Sequence, residues 1–450
     1  MKRQFVVPTL VGFCLVAISC SRTTTDDSRT EILFWSRPWW GDPPQYQDPS
    51  QPGIPALEWQ AQRIAEVERA HPHIKVRREI DPGADKLRLA FASHTAPDVF
   101  FVGVDNEVMR FAEMGFIEPI DSFLTDADRA DIWPSTLDIG RLGIRHYLWP
   151  LYNHALVILI NEALCEERGV VGLLPKEDQD WDVATFLKVA RALTFDRDGD
   201  GRNDVYGVGL YALGEAYPVQ MTYLANFGAR LFDEERGFVF HSPQTAEGLR
   251  FLRQLSAPGS VAVPGASGYR VMDMADLFFA QRVGMMLGTA GLTEYGKTQF
   301  QTGRAKPFRC RLAPVPVASL DRPSVSYLTV GAVAVSRQAD PARCAAAMEL
   351  ARYLTSPEVN RWFWSKWASP RRSTPLPADP NLRTMMKLAA RSENFLLPPV
   401  ALDPRYDLPR QLDLFFQRIF SSDVPIETAL AEFEAKFRER ALRGVEGWPL

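Results

Sequence analysis

Tyr147-Leu148-Trp149-Pro150-Leu151-Tyr152-Asn153-His154 runs directly into Ala155-Leu156-Val157-Ile158-Leu159-Ile160-Asn161, and the reading of this junction decides the fold. The second half mixes Leu with β-branched residues over a length that suits one buried strand. The first half carries three aromatics, a proline and two neutral polar side chains. We read it as a chain crossing between two lobes, and the second half as the opening strand of the second lobe. A crossing flanked by aromatic and hydrogen-bonding side chains suits a cleft that closes on a polar ligand with apolar faces, a sugar before other solutes. A buried strand with a surface lead-in is the alternative for the same residues.

At 450 residues the chain is long for one core, so two domains are expected. A net charge of −4 with acids and bases interspersed gives no basic field for nucleic acid. Residues 1–20 stand apart as a signal peptide: Lys2 and Arg3 precede an apolar run too short for a comfortable membrane span. Its ending, Ala17-Ile18-Ser19-Cys20, resembles a bacterial lipobox, which implies cleavage before Cys20 and lipidation of its thiol. The alternative is an ordinary signal peptide with a coincidental cysteine, since Ala17 stands where Leu is usual. Residues 21–30 are polar and suit a tether. Cys165, Cys310 and Cys344 remain, an odd number without metal spacing. One disulfide is open with no pair favoured, and Cys344, on an apolar helical face, reads as a buried thiol.

Strand and helix alternate along the chain. Residues 31–36, 74–80 and 98–102 read as strands, the last apolar on both faces as a central parallel strand must be. Helices are expected after Asp182 and Asp340, with Leu412 to Ile419 and Ile426 to Ala441 forming two more. Val330 to Ser336 reads as a strand returning to the first lobe. The pattern is α/β, with its ligand edge at the strand C-termini. Asp196, Asp198, Asp200 and Asp204 fall at positions 1, 3, 5 and 9 of a calcium-loop pattern with Gly201 at 6, but position 12 is Gly207. A weak structural Ca2+ site and a capped Asp/Gly turn both remain open; no other cofactor is expected.

Several blocks, in order over roughly residues 31–380, resemble the extracellular solute-binding proteins of ABC transporters, the maltose-binding-like group called family 1. Ala92 to Val99 is similar to its "ASG..PDV" turn and Ala112 to Ile120 to "A..G.l.pL". Leu159 to Leu164, Trp181 to Thr194, Asp196 to Gly207, Phe279 to Met286 and Ala351 to Pro357 resemble further blocks. The resemblance implies a two-lobed, type II periplasmic-binding-protein fold with discontinuous lobes: residues 31–151 with 330–380, and 152–329 with 381–450. It implies a carbohydrate captured between the lobes and passed to permease subunits. It further implies a monomer held at the cell envelope through Cys20 and facing the periplasm or exterior.

Carried over by local position, it offers Trp39 and Trp40 from the first-strand loop, Asp105 and Asn106 after the third strand, and Tyr152, Asn153 and His154 at the crossing. Tyr211, Glu215 and Tyr217 follow, with Arg405 and Tyr406 from the C-terminal segment. A sugar needs an aromatic face beside planar acceptors, and this set supplies both. Asp105 reads equally as a helix cap, and Glu215 and Tyr217 as surface loop. Trp362, Phe363, Trp364 and Trp367 crowd one expected helix and are mostly core, with Trp364 or Trp367 edging the cleft. Where many relatives carry Trp, this chain has Thr289-Ala290-Gly291-Leu292. The rival classes are a secreted carbohydrate-active enzyme, which would need two carboxylates about 5 or roughly 7–9 Å apart, and a sugar-sensing lipoprotein without a transporter.

Overall fold

The computed structural model describes residues 29–37, 56–81, 83–103, 106–177, 179–214, 216–233, 236–361, 364, 367–392 and 407–442. The stretches expected to be signal peptide and lipobox, with Cys20, and most of the expected tether lie outside them. Eight strands form one ladder: β1 (Thr30–Ser36), β2 (Ile74–Ile80), β3 (Val99–Gly103), β4 (Trp149–Asn161), β5 (Tyr206–Gly209), β6 (Val283–Thr289), β7 (Cys310–Ala313) and β8 (Leu328–Val335). Their order is β2-β1-β3-β8-β4-β6-β5, with β7 on the second half of β4. β1 pairs parallel with β2 and β3, and β8 slots antiparallel between β3 and β4.

Within the first part of this sheet β3 is buried on both faces, as its sequence requires, while the edge strand β2 keeps a wet face. Val99 and Phe101 enter one core with Ile32, Phe34 and Val333. Phe100 and Val102 enter the other with Trp35 and Ala334, the alternation that a strand imposes. Helix Pro341–Leu354, capped by Asp340, covers one face through Ala347, Met348, Ala351 and Leu354. Asp182 caps helix Val183–Ala192 by accepting the Thr185 amide at 2.7 Å. The C-terminal helices Leu408–Ser421 and Ile426–Leu442 pack on Tyr217–Ala225 and Pro243–Ser256, while Pro380–Ala390 lies against β7 and β4.

The junction read as a crossing followed by a strand is one unbroken 13-residue strand. Its first half pairs with β8, from Trp149↔Val333 to Ala155↔Leu328. Its second half pairs with β6, from Leu156↔Thr289 to Ile160↔Met285. The aromatic lead-in is itself strand-forming once a distant partner is supplied. Pro150, which has no amide hydrogen to offer a ladder, sits opposite Ala332 beside a register shift, with Gly331 opposite Tyr152. The bulge leaves Leu151 outside the ladder, and its carbonyl accepts from the buried Trp364 Nε1 at 2.7 Å. Of the tryptophan-rich stretch, Trp364 and Trp367 lie beyond the end of helix Pro357–Asn360, and Trp362 and Phe363 lie outside the described residues.

Candidate ligand-binding site

β4 is buried along nearly its whole length and opens only at His154 and Leu156, where it leaves β8 for β6. The ladder is stitched across this seam by Ser326, whose hydroxyl accepts the Leu156 amide at 2.7 Å and donates to the Leu156 carbonyl at 2.9 Å. A cavity of about 230 Å3 stands over the opening. His154 and Leu156 from β4, Thr329 from β8 and Thr289 from β6 form one side; Tyr211, Pro218, Val219, Val271 and Tyr327 form the other. Polar atoms on mainly hydrocarbon walls match a molecule with hydroxyl edges and C–H faces.

Tyr152 and His154 point to the same face, with ring centroids 5.5 Å apart. The Trp367 ring packs on both, 5.1 Å from Tyr152 and 4.5 Å from His154. Its segment is fastened along β4, where the Asn153 amide donates to the Ala368 carbonyl at 2.7 Å. Further on, the buried Arg371 donates to Asp128 at 3.1 Å and Asp131 at 3.2 Å. His154 Nε2 is buried and has no hydrogen-bond partner among the described residues. Burial brings the imidazole down to about 4, so it is neutral at physiological pH.

The other expected contacts divide. Asn153 is corrected: it is fully buried on the opposite face of β4, its amide paired with Thr136 at 2.8 Å, because strand alternation turns it from its neighbours. Tyr211 lines the cavity, but its hydroxyl already donates to the Leu287 carbonyl at 3.2 Å and burial raises its pKa. Tyr217 stands behind the lining, its backbone amide donating to Asp413 and its ring edge against Tyr327. Asn106 opens helix Asn106–Glu113, and its side chain lies outside the described residues. Trp39, Trp40, Asp105, Glu215, Arg405 and Tyr406 also lie outside them. Thr289, Tyr327 and Thr329 were not anticipated; strand register brings the two threonines opposite Leu156 and His154, and no local pattern marks them.

Away from the cavity, oxygens of Asp196, Asp198 and Asp204 lie within 4.8 Å of one another, and Asp200 is not of their group. Asp196 accepts the amides of Gly199 and Gly201, which, with its neighbours' amides, hold its carboxyl below the usual range. Asp204 accepts those of Arg197 and Asp198. A β-carbon at Gly207 would overlap the Ala190 carbonyl, so a calcium loop's bidentate Glu has no room at that position. Cys165, Cys310 and Cys344 are free thiols. Burial raises all three above the ordinary value. Cys344 is half-buried rather than buried, at the margin of its helix's apolar stripe.

Comparison with known proteins places this geometry. MalE from Xanthomonas citri superimposes with a TM-score of 0.71 at 19% identity, covering 92% of this chain and 98% of its own. An ABC transporter solute-binding protein from Thermotoga lettingae, bound with α-D-tagatose, gives 0.69 at 20% identity over 91% and 99%. UgpB from Mycobacterium tuberculosis, in complex with glycerophosphocholine, gives 0.68 at 15% over 92% and 98%. These likenesses show the two-lobed, type II periplasmic-binding-protein fold. A binding protein of Brucella abortus (strain 2308) is 23% identical over 224 residues, 49% of this chain; the chain spans about half the length of the curated relatives it matches, 51% for this one. Residues 57–361, well over half the chain, match the sequence pattern of one family, and the chain belongs to it: the bacterial extracellular solute-binding proteins.

Proposed function

We propose that this protein is the substrate-binding component of an ABC importer. It takes a carbohydrate into the cleft between lobes formed by residues 31–151 with 330–380 and 152–329 with 381–450, and delivers it to membrane permease subunits. The observation that carries this reading is the single opening of β4 at the seam between its two ladders, where His154, backed by the rings of Trp367 and Tyr152, lines a cavity with Thr289, Thr329 and Tyr327. Aromatic faces beside neutral hydrogen-bonding groups recognise a sugar without ionising it or breaking a bond. The tagatose-bound neighbour and the MalE neighbour, a sugar-binding protein, agree with this class. The lining of this cavity holds no carboxylate, where glycoside hydrolysis needs a pair across the reacting bond, which favours binding over catalysis there. Lipidation at Cys20 would keep the protein at the cell envelope, as a monomer beside its transporter.

The test is a thermal-shift screen across monosaccharides, oligosaccharides, polyols and glycerophosphodiesters. A ligand that binds only the folded chain raises the melting temperature. At least one neutral sugar should do so, and Trp367→Ala should abolish the rise while the protein still melts cooperatively. Preference for a glycerophosphodiester over every sugar, or steady turnover of a sugar, would overturn the assignment. The loop at 196–204 is proposed to hold itself with its own amide bonds. Melting should be the same in a chelator and in millimolar calcium; a rise with calcium would show a bound ion instead.

A further inference from the structure

Beyond Trp367 a second cavity, of about 250 Å3, opens between helix Leu292–Gln301, β7 and the start of helix Pro380–Ala390. Phe279, Phe300 and Phe308, in mutual contact, form its apolar floor. Among its polar groups, Asn381 is used by the backbone, accepting the Leu312 amide and donating to the Cys310 carbonyl. Asp379 caps its helix. Glu294 is different. One of its oxygens receives the Lys297 ammonium at 2.5 Å, while Oε2 is buried and has no hydrogen-bond partner among the described residues. A carboxylate oxygen shut off from water without a donor is costly, and a bound hydroxyl is the group that relieves it.

The two cavities meet at Trp367. Its ring packs on His154, which lines the first, and also lines the second. Thr289 of the first leads straight into Ala290 and Gly291 of the second. Gly291 lies beside that ring, since a β-carbon there would stand in ordinary contact with it at 3.5 Å. Each cavity alone is smaller than the roughly 300–1,000 Å3 of a complete small-molecule site. Resting on the carbohydrate reading above, we propose that the ligand is at least two sugar units long. One unit lies over His154 and the next beyond Trp367, where Glu294 accepts its hydroxyl hydrogens.

Calorimetric titration of the purified protein with matched series tests this: glucose, maltose and maltotriose; galactose and lactose; xylose and xylobiose. In a series that binds, the second unit should tighten binding by about tenfold or more. Glu294→Gln, which preserves shape, should lose that gain at unchanged monosaccharide affinity and unchanged melting temperature. Lys297→Met, at a more exposed position, should lose part of it. A monosaccharide binding as tightly as its longer homologues, or a Glu294→Gln protein that keeps the gain, overturns the proposal and leaves sugar capture standing. Failure of every sugar, here and in the wider screen, overturns both.

Discussion

Gly331 has no side chain because the Tyr152 ring occupies the place of its β-carbon. Gly331→Ala would push that ring aside, and overpacking of this kind costs about 1–3 kcal/mol. The displaced ring also carries Trp367, so the variant should melt lower and bind its sugar more weakly, both measurable on one preparation. Melting and affinity equal to the parent would show that the ring does not depend on the glycine. His154 makes a second prediction. Its folded imidazole titrates at about 4 against an ordinary 6.5, because burial disfavours the cation. The unfolded chain therefore takes up the proton first. Stability is full above pH 6.5 and is lost as pH falls towards 4, at up to about 1.4 kcal/mol per unit. His154→Gln should flatten that part of the melting-temperature profile; a parallel profile would mean the imidazole is solvated.

At the scale of elements, Trp364 and residues 367–371 position the site from outside the long helices and strands. Trp364 takes the carbonyl that the β4 bulge releases, Ala368 bridges to Asn153, and Arg371 ends between two aspartates. Burial raises the Asp128 carboxyl, but the Thr125 hydroxyl and amide with Arg371 and Arg352 more than offset this and hold it below the usual range. Arg371→Met would remove the buried one of the two arginines paired with Asp128, and breaking a buried pair in this way costs about 3–5 kcal/mol in denaturant unfolding. Sugar affinity should fall with it as Trp367 loosens; a loss below about 1 kcal/mol would place the pair in the surface class. The helices at 183–192, 341–354 and 408–421 were legible in advance, because apolar spacing and an Asp cap or first-turn proline are local signals. The Asp-rich loop was legible as a motif, but the crowding of Gly207 by Ala190 exists only in the folded chain. The place of Trp367 was half legible: its neighbours suggested a helix, and only the pairing of residue 368 with residue 153 reveals its orientation.

For the whole molecule, the seam beneath the cavity followed from one junction in the sequence, since a change of side-chain chemistry marked where the chain passes between ladders. The walls did not follow, because Thr289, Tyr327 and Thr329 arrive through register between segments far apart in the chain. A ligand held from both sides should shift the population towards a closed form. Solution scattering with a sugar found by thermal shift should show a smaller radius of gyration than the free protein, and superimposable profiles would rule out closure. The placement of β8 has another consequence. It completes the first part of the sheet by entering between β3 and β4, yet it is made long after both. Until residue 335 has left the ribosome, the earlier strands lack the neighbour that joins them, and contacts of such sequence separation form slowly.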